Sequence, residues 1–232
     1  MWASEKRCLQ LFATDMDILF DECFVSFKLS SLKESPNFRS ARVGSRIPRI
    51  IWKLGPVAYS SLSHDTHLYF EKLISENPTY ELRYMDNEQC ATFLKSKLAD
   101  RAHWCFQMLL PGAYKADFVR YCLLYYYGGV YSDLKQVFLK KLDEVVNHPE
   151  LVLTKDLLGN QIQISFMASR PRHLVFKNAY EAVIKKVEER DYGQDFLHLT
   201  GPHLFGDVFH AMAWPPNSYT MDYKQQLQLM LY

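Results

Sequence analysis

The chain has 232 residues, 48% of them apolar, with 27 Lys plus Arg against 26 Asp plus Glu. That length supports one domain with a substantial core, or a domain plus a small appendage, and the balanced charge excludes a global field drawing the protein onto nucleic acid or an anionic membrane. Five widely spaced cysteines (Cys8, Cys23, Cys90, Cys105 and Cys122) include no C-x-x-C pair, so they read as free buried thiols in a reducing compartment, not as a metal site or disulfide framework.

Residues 1–30 read as helical. The apolar stretch over 8–27 contains Asp15, Asp17, Asp21 and Glu22, which a membrane span does not tolerate, while Met16, Leu19, Phe20, Cys23 and Phe27 recur at helical spacings. Residues 30–46 are polar and turn-rich, a linker. The expected organisation is an N-terminal helical extension and linker over 1–46 and a single domain over 47–232, soluble as written. Residues 47–54 form a short apolar run stopped by Gly55-Pro56, as in a buried parallel strand. A helix over 63–75, a break at Asn77-Pro78, a strand over 80–85 and a helical region capped by Asp86 and running to about residue 110 follow. This alternation predicts an α/β domain with a mostly parallel sheet. Such sheets bind ligands at the carboxyl ends of their strands, here just after Leu54. Further on, 150–153 and 161–167 read as strands, 174–189 as a helix, and Thr200-Gly201-Pro202 as a turn opening a helix at His203. The tail over 221–232 reads as helical.

The chemistry is concentrated over residues 114–138. Residues 114–127 form an apolar, aromatic helix ended by Gly128-Gly129, with two charges, Asp117 and Arg120, three residues apart on one face. They are either a structural ion pair or a site in which Asp117 accepts hydrogen bonds from a ribose or base and Arg120 orients it or meets phosphate. After the glycines, 130–138 reads as an extended strand with Tyr131, Asp133 and Lys135 on one side and Val130, Ser132 and Leu134 on the other. Pattern alone leaves open a pyrophosphate pocket or a solvated strand edge.

The order Ala116-Asp117-Phe118-Val119-Arg120-Tyr121, then Leu124-Tyr125, Tyr127-Gly128-Gly129-Val130-Tyr131 and Asp133, resembles the sugar-binding region with a DXD motif of the glycosyltransferase family 32 type. Ile47-Pro48-Arg49-Ile50-Ile51, Asn77-Pro78-x-Tyr80, the stretch from Phe166 to His173 and Thr200-Gly201-Pro202 are similar to further segments of that family, in the same order. The resemblance implies a GT-A type fold and transfer of a hexose from a UDP- or GDP-sugar, with retention, to a glycan or protein acceptor. It places Trp52, Asp117, Arg120, Gly129 and Tyr131 against the donor, with Trp52 stacking on the base, and makes Asp133 the first Asp of the DXD. The expected partners are the donor and acceptor, with no nucleic acid and no membrane segment. The expected compartment is the cytoplasm, with the Golgi lumen as the alternative if a membrane anchor has been removed.

One departure bears on mechanism. Where the family has Asp-x-Asp, this chain has Asp133-Leu134-Lys135. The second carboxylate ordinarily holds Mn²⁺ or Mg²⁺, and a lysine there repels a divalent cation. The favoured reading is metal-independent, with Asp133 and Lys135 as catalytic residues and Lys135 neutralising the leaving diphosphate. The alternatives are a metal held by Asp133 with Asp195 or Asp207, and a site that binds without turnover. His173 and His203 read first as turn or cap residues, with an anion role for His203 at its helix start. Lys185, Lys186 and Arg190 share a solvated face with Glu181, Glu188 and Glu189.

Overall fold

The computed structural model describes residues 25–27, 46–146, 150–156, 161–212, 218–221 and 230–231. The helices expected before residue 25 and over 222–229 lie outside the described residues. Seven strands form one sheet in the order β1 (Val25–Phe27), β3 (Glu81–Met85), β2 (Ile50–Leu54), β4 (Gly129–Ser132), β7 (Ile162–Ser169), β6 (Leu151–Lys155) and β8 (Ser218–Met221). β2 is parallel to both β3 and β4, β6 is parallel to β8, and β7 runs antiparallel between β4 and β6. Five strands therefore share one direction and only β1 and β7 oppose it, so the sheet is mostly parallel, as expected. Each residue of β2 is buried, as a strand covered on both faces requires.

The helices follow their local signals. α1 (His64–Glu76) begins at Ser63, whose side chain accepts a hydrogen bond from the Thr66 amide. α2 (Asn87–Met108) opens with a complete capping box between Asp86 and Gln89 and is broken at Ala99, where φ is 71°. α3 (Gly112–Tyr126) is buried continuously from Phe118 to Leu124. Each Leu or Phe so removed from water contributes about 1.5–3 kcal/mol. α4 (Leu142–Val145), α5 (Leu174–Glu189) and α6 (Pro202–Ala211) complete the set. α2, α3, α5 and α6 pack with Trp52 on one face of the sheet, and α1 and α4 pack with Ile51 on the other.

Three local expectations are corrected. Val25–Phe27, expected as helix, pairs antiparallel with β3. Met230–Leu231, expected within a helical tail, forms β9 against β5 (Val137–Phe138). The strand expected over 130–138 stops at Ser132. The chain turns, with the Gln136 amide donating to the Asp133 carbonyl at 3.0 Å, before β5 begins. Cys90, Cys105 and Cys122 are free and buried, as expected; Cys8 and Cys23 lie outside the described residues. Among the described residues, no helix is long and apolar enough to cross a membrane.

Candidate functional site

β2 and β4 end side by side, and α3 crosses above them. Arg120 projects from α3 into this corner with only 5% of its surface exposed. Its guanidinium lies 2.9 Å from Asp117 and 3.4 Å from Asp133 Oδ1, and donates to the carbonyls of Ile164 at 2.8 Å and Ala116 at 3.2 Å. It also sits over the Tyr131 ring, 4.5 Å from its centre. The Tyr131 hydroxyl donates to Asp133 Oδ1 at 2.8 Å. On the other side, the Thr200 hydroxyl donates to Asp117 Oδ2 at 2.9 Å, and Thr200 is itself held through its carbonyl by the Tyr121 hydroxyl. The result is one connected chain, Thr200–Asp117–Arg120–Asp133–Tyr131, built from three separated parts of the sequence.

The electrostatics follow from burial. Desolvation raises the Asp117 carboxyl to about 6, against the opposing pull of Arg120 and the Thr200 hydroxyl. Burial would lower Arg120, but Tyr131, Asp117 and Asp133 outweigh it and hold the guanidinium above its ordinary range. Asp133 is the open end of the chain, its side chain 43% exposed. Beneath it lies Lys53, fully buried in β2, whose ammonium donates to the carbonyls of Asp133 at 2.8 Å and Gln136 at 3.3 Å. Desolvation lowers Lys53 to about 7, with Asp133 partly offsetting it. The turn that carries Asp133 is thus tied down from below by a cation.

A cavity of about 160 Å³ opens just after Leu54, lined by Leu54, Pro56, Phe106, Lys115, Ala116 and Val119. Its α3 wall is the segment that carries Asp117 and Arg120. A larger hollow of about 590 Å³ lies by Tyr125 and Tyr126, at the C-terminal end of α3, and includes none of these site residues. Asp117, Arg120, Tyr131 and Asp133 line neither cavity; the smaller one meets their helix at Ala116 and Val119.

Asp117, Arg120, Tyr131 and Asp133 are brought together as expected. Trp52 and Gly129 are not. Trp52 has no exposed surface: its indole N–H donates to the Gly128 carbonyl at 2.8 Å and its ring packs on Tyr127 and under Arg83. It supports the corner from within the core and offers no face to a base. Gly129 lies at the opposite end of β4, with φ of 100°, and a Cβ there would sit 2.8 Å from the Ile50 carbonyl; close packing, not ligand contact, explains the glycine. Lys135 is exposed on the turn after Asp133 and not on the strand face with Tyr131. Arg120 is committed to protein acceptors, so it organises the two carboxylates. His173 caps α5, as expected, through its ring nitrogen and the Val175 amide.

The residues present do not fit the two-carboxylate divalent-cation site implied by the resemblance. Asp133 Oδ1 is taken by Tyr131 and Arg120, and Lys135 stands where the second acid would be. Asp207 is exposed, and Asp195 is gathered with His198 and His203, the only group of three metal-ligating side chains among the described residues. Local reading missed Lys53 and Thr200. A lone lysine inside Ile50-Ile51-Trp52-Lys53-Leu54 was the readable signal for the first; Thr200 was visible only as part of Thr-Gly-Pro.

Residues 63–152 match the family described as the glycosyltransferase sugar-binding region containing DXD motif. The chain is 26% identical over 164 residues to an uncharacterized glycosyltransferase of Acanthamoeba polyphaga mimivirus, covering 69% of this chain and 64% of that protein. It is 25% identical over 205 residues to the initiation-specific alpha-1,6-mannosyltransferase of Candida albicans, covering 71% and 53%. To inositol phosphoceramide mannosyltransferase 2 of Schizosaccharomyces pombe it is 29% identical over 160 residues, covering 68% and 42%. The chain thus spans less than two thirds of the length of these relatives. The solved structure of the PaToxG glycosyltransferase superposes with a TM-score of 0.57 at 14% identity, over 72% of this chain and 69% of that one, a likeness of fold. Residues 63–152 of this chain are therefore similar to a glycosyltransferase sugar-binding region containing DXD motif, set in a fold of the GT-A type.

Proposed function

We propose that this protein transfers a hexose from a nucleotide-diphosphate sugar, a UDP- or GDP-sugar, to a glycan or protein acceptor with retention of configuration. One observation carries the reading: the Asp117–Arg120–Asp133 network stands at the carboxyl ends of β2 and β4, with Asp117 and Arg120 on the helix whose Ala116 and Val119 wall the cavity that opens after Leu54. The cavity takes the base between apolar walls. Asp117, held by Arg120 and Thr200, accepts hydrogen bonds from the ribose. Asp133, half exposed, reaches the donor sugar. The exposed ammonium of Lys135 on the same turn neutralises the departing diphosphate, the task a metal performs where a second carboxylate is present. Two of the relatives are named mannosyltransferases, so mannose is the first sugar to test.

The test is donor turnover with UDP- and GDP-linked glucose, galactose, mannose and N-acetylglucosamine, with and without EDTA. Turnover that persists in EDTA and falls about a hundredfold in Lys135→Ala supports the mechanism, a loss typical of removing one preorganised charge-stabilising donor. Activity abolished by EDTA and restored by Mn²⁺ would sink the role of Lys135. Nucleotide binding without turnover would assign the protein instead to nucleotide-sugar binding.

A further inference from the structure

We propose that Asp195, His198 and His203, in the segment between α5 and α6, form a binding site for one first-row transition-metal ion of the zinc class. The proposal does not rest on the transferase reading. His198 Nδ1 lies 2.9 Å from Asp195 Oδ1, His203 Nδ1 lies 3.1 Å from Asp195 Oδ2, and the two imidazole nitrogens are 3.4 Å apart. Ligand atoms about 2.0–2.1 Å from a tetrahedral metal stand about 3.3 Å from one another. The two imidazole nitrogens stand at about that spacing, and each faces its own oxygen of the one carboxylate at 2.9 or 3.1 Å, so a cation enters with small side-chain adjustments. As a purely hydrogen-bonded trio, each imidazole must aim an N–H at the carboxylate, which sets two N–H dipoles side by side at 3.4 Å. A cation at the centre replaces that repulsion with three attractions.

Two imidazoles and one carboxylate form an N,N,O set, which selects Zn²⁺, Co²⁺ or Ni²⁺ over Mg²⁺ or Ca²⁺. The scaffold orients the donors. Asp195 Oδ1 also accepts the backbone amides of Leu197 at 2.7 Å and His198 at 3.1 Å, an outer shell that fixes the carboxylate. Gly193, with φ of 72°, lies where a Cβ would be 2.4 Å from the His198 Cβ, so the chain closes directly onto His198. The three side chains are 24%, 28% and 38% exposed for His198, His203 and Asp195, which leaves an approach from solvent and a fourth position for water. The site also has a structural consequence. Thr200, which holds Asp117, lies between His198 and His203, so a cation there pins the segment that closes the donor corner.

The full chain, stripped with a chelator and dialysed, is titrated with Co²⁺ and then with Zn²⁺. The expected result is one Co²⁺ per chain with the visible absorption of low-coordinate cobalt, displaced by Zn²⁺, and a melting temperature raised by Zn²⁺. The His198→Ala, His203→Ala double variant is expected to bind at least about a hundredfold more weakly, since loss of outer-shell partners alone costs up to that much. Asp195→Asn keeps a side-chain oxygen to accept the Leu197 and His198 amides while removing the anionic ligand; its circular dichroism checks the fold, and its affinity is expected to fall at least about tenfold. Wild-type protein that binds no stoichiometric Co²⁺ or Zn²⁺, or a folded Asp195→Asn that binds both as tightly as wild type, overturns the proposal.

Discussion

Asp117 carries both a charge and most of a desolvation penalty. Its pKa, raised to about 6 by burial, lies within the range of ordinary assays. If the ionised carboxylate accepts hydrogen bonds from the ribose, nucleotide affinity falls as pH drops through 6, by at most about tenfold per pH unit. Calorimetry with UDP and GDP between pH 5 and 8 checks this, and Asp117→Asn is expected to bind weakly with a flat profile. The stability linkage has the opposite sense. A carboxyl raised in the folded state contributes stability fully present below the unfolded value of 3.8 and lost as pH rises through about 6. Thus the same group favours folding at low pH and ligand binding at higher pH. Arg120 faces a different constraint, because it stands between two carboxylates. Arg120→Ala leaves them facing each other uncompensated and is expected to cost about 3–5 kcal/mol in urea unfolding. Arg120→Lys keeps the charge and loses the fork; partial recovery of stability without recovery of nucleotide binding is the expected outcome.

At the scale of elements, the turn over 133–136 decides where Asp133 and Lys135 point. No local pattern gives its position: its carbonyls are held by Lys53 from β2 and by the Tyr69 hydroxyl from α1. Alternation continued the strand through Lys135, whereas those long-range donors stop it at Ser132. The same reason hid the pairing of Val137 with Leu231 and of Val25 with Tyr84. What was legible came from short-range physics: the buried run of β2, the Asp86 capping box, and the three-residue spacing that joins Asp117 to Arg120. Lys53→Met tests the turn. A lysine lowered to about 7 contributes stability present above its unfolded value of 10.5 and lost as pH falls through 7. Wild-type melting temperature is therefore expected to gain a rising component between pH 7 and 9 that the variant lacks, seen by circular dichroism. The freed turn is expected to lower kcat for the donor more than it alters KM, since it moves Lys135 and leaves the cavity after Leu54 in place.

Across the whole molecule, the site joins parts that would otherwise meet only through the core. β2 and β4 supply the floor, α3 the wall with Asp117 and Arg120, and the segment before α6 the Thr200 contact. A ligand seated there touches several elements at once and binds only the folded chain, so it stabilises the molecule by mass action. At a hundred times its dissociation constant the gain is about 2.7 kcal/mol, which in a domain of this size raises the melting temperature by about 5–11 °C. Thermal melts with UDP, GDP and their hexose conjugates are expected to show such a rise for the cognate nucleotide, undiminished by EDTA at the Asp133 site. Asp117→Ala separates the pocket from the fold. It removes a buried carboxylate with a raised pKa, so the free variant is expected to melt close to wild type while its shift with nucleotide disappears. A folded Asp117→Ala that retains the full shift would place the nucleotide elsewhere, because no ligand seated between α3 and Thr200 keeps its affinity when the group bridging them is removed.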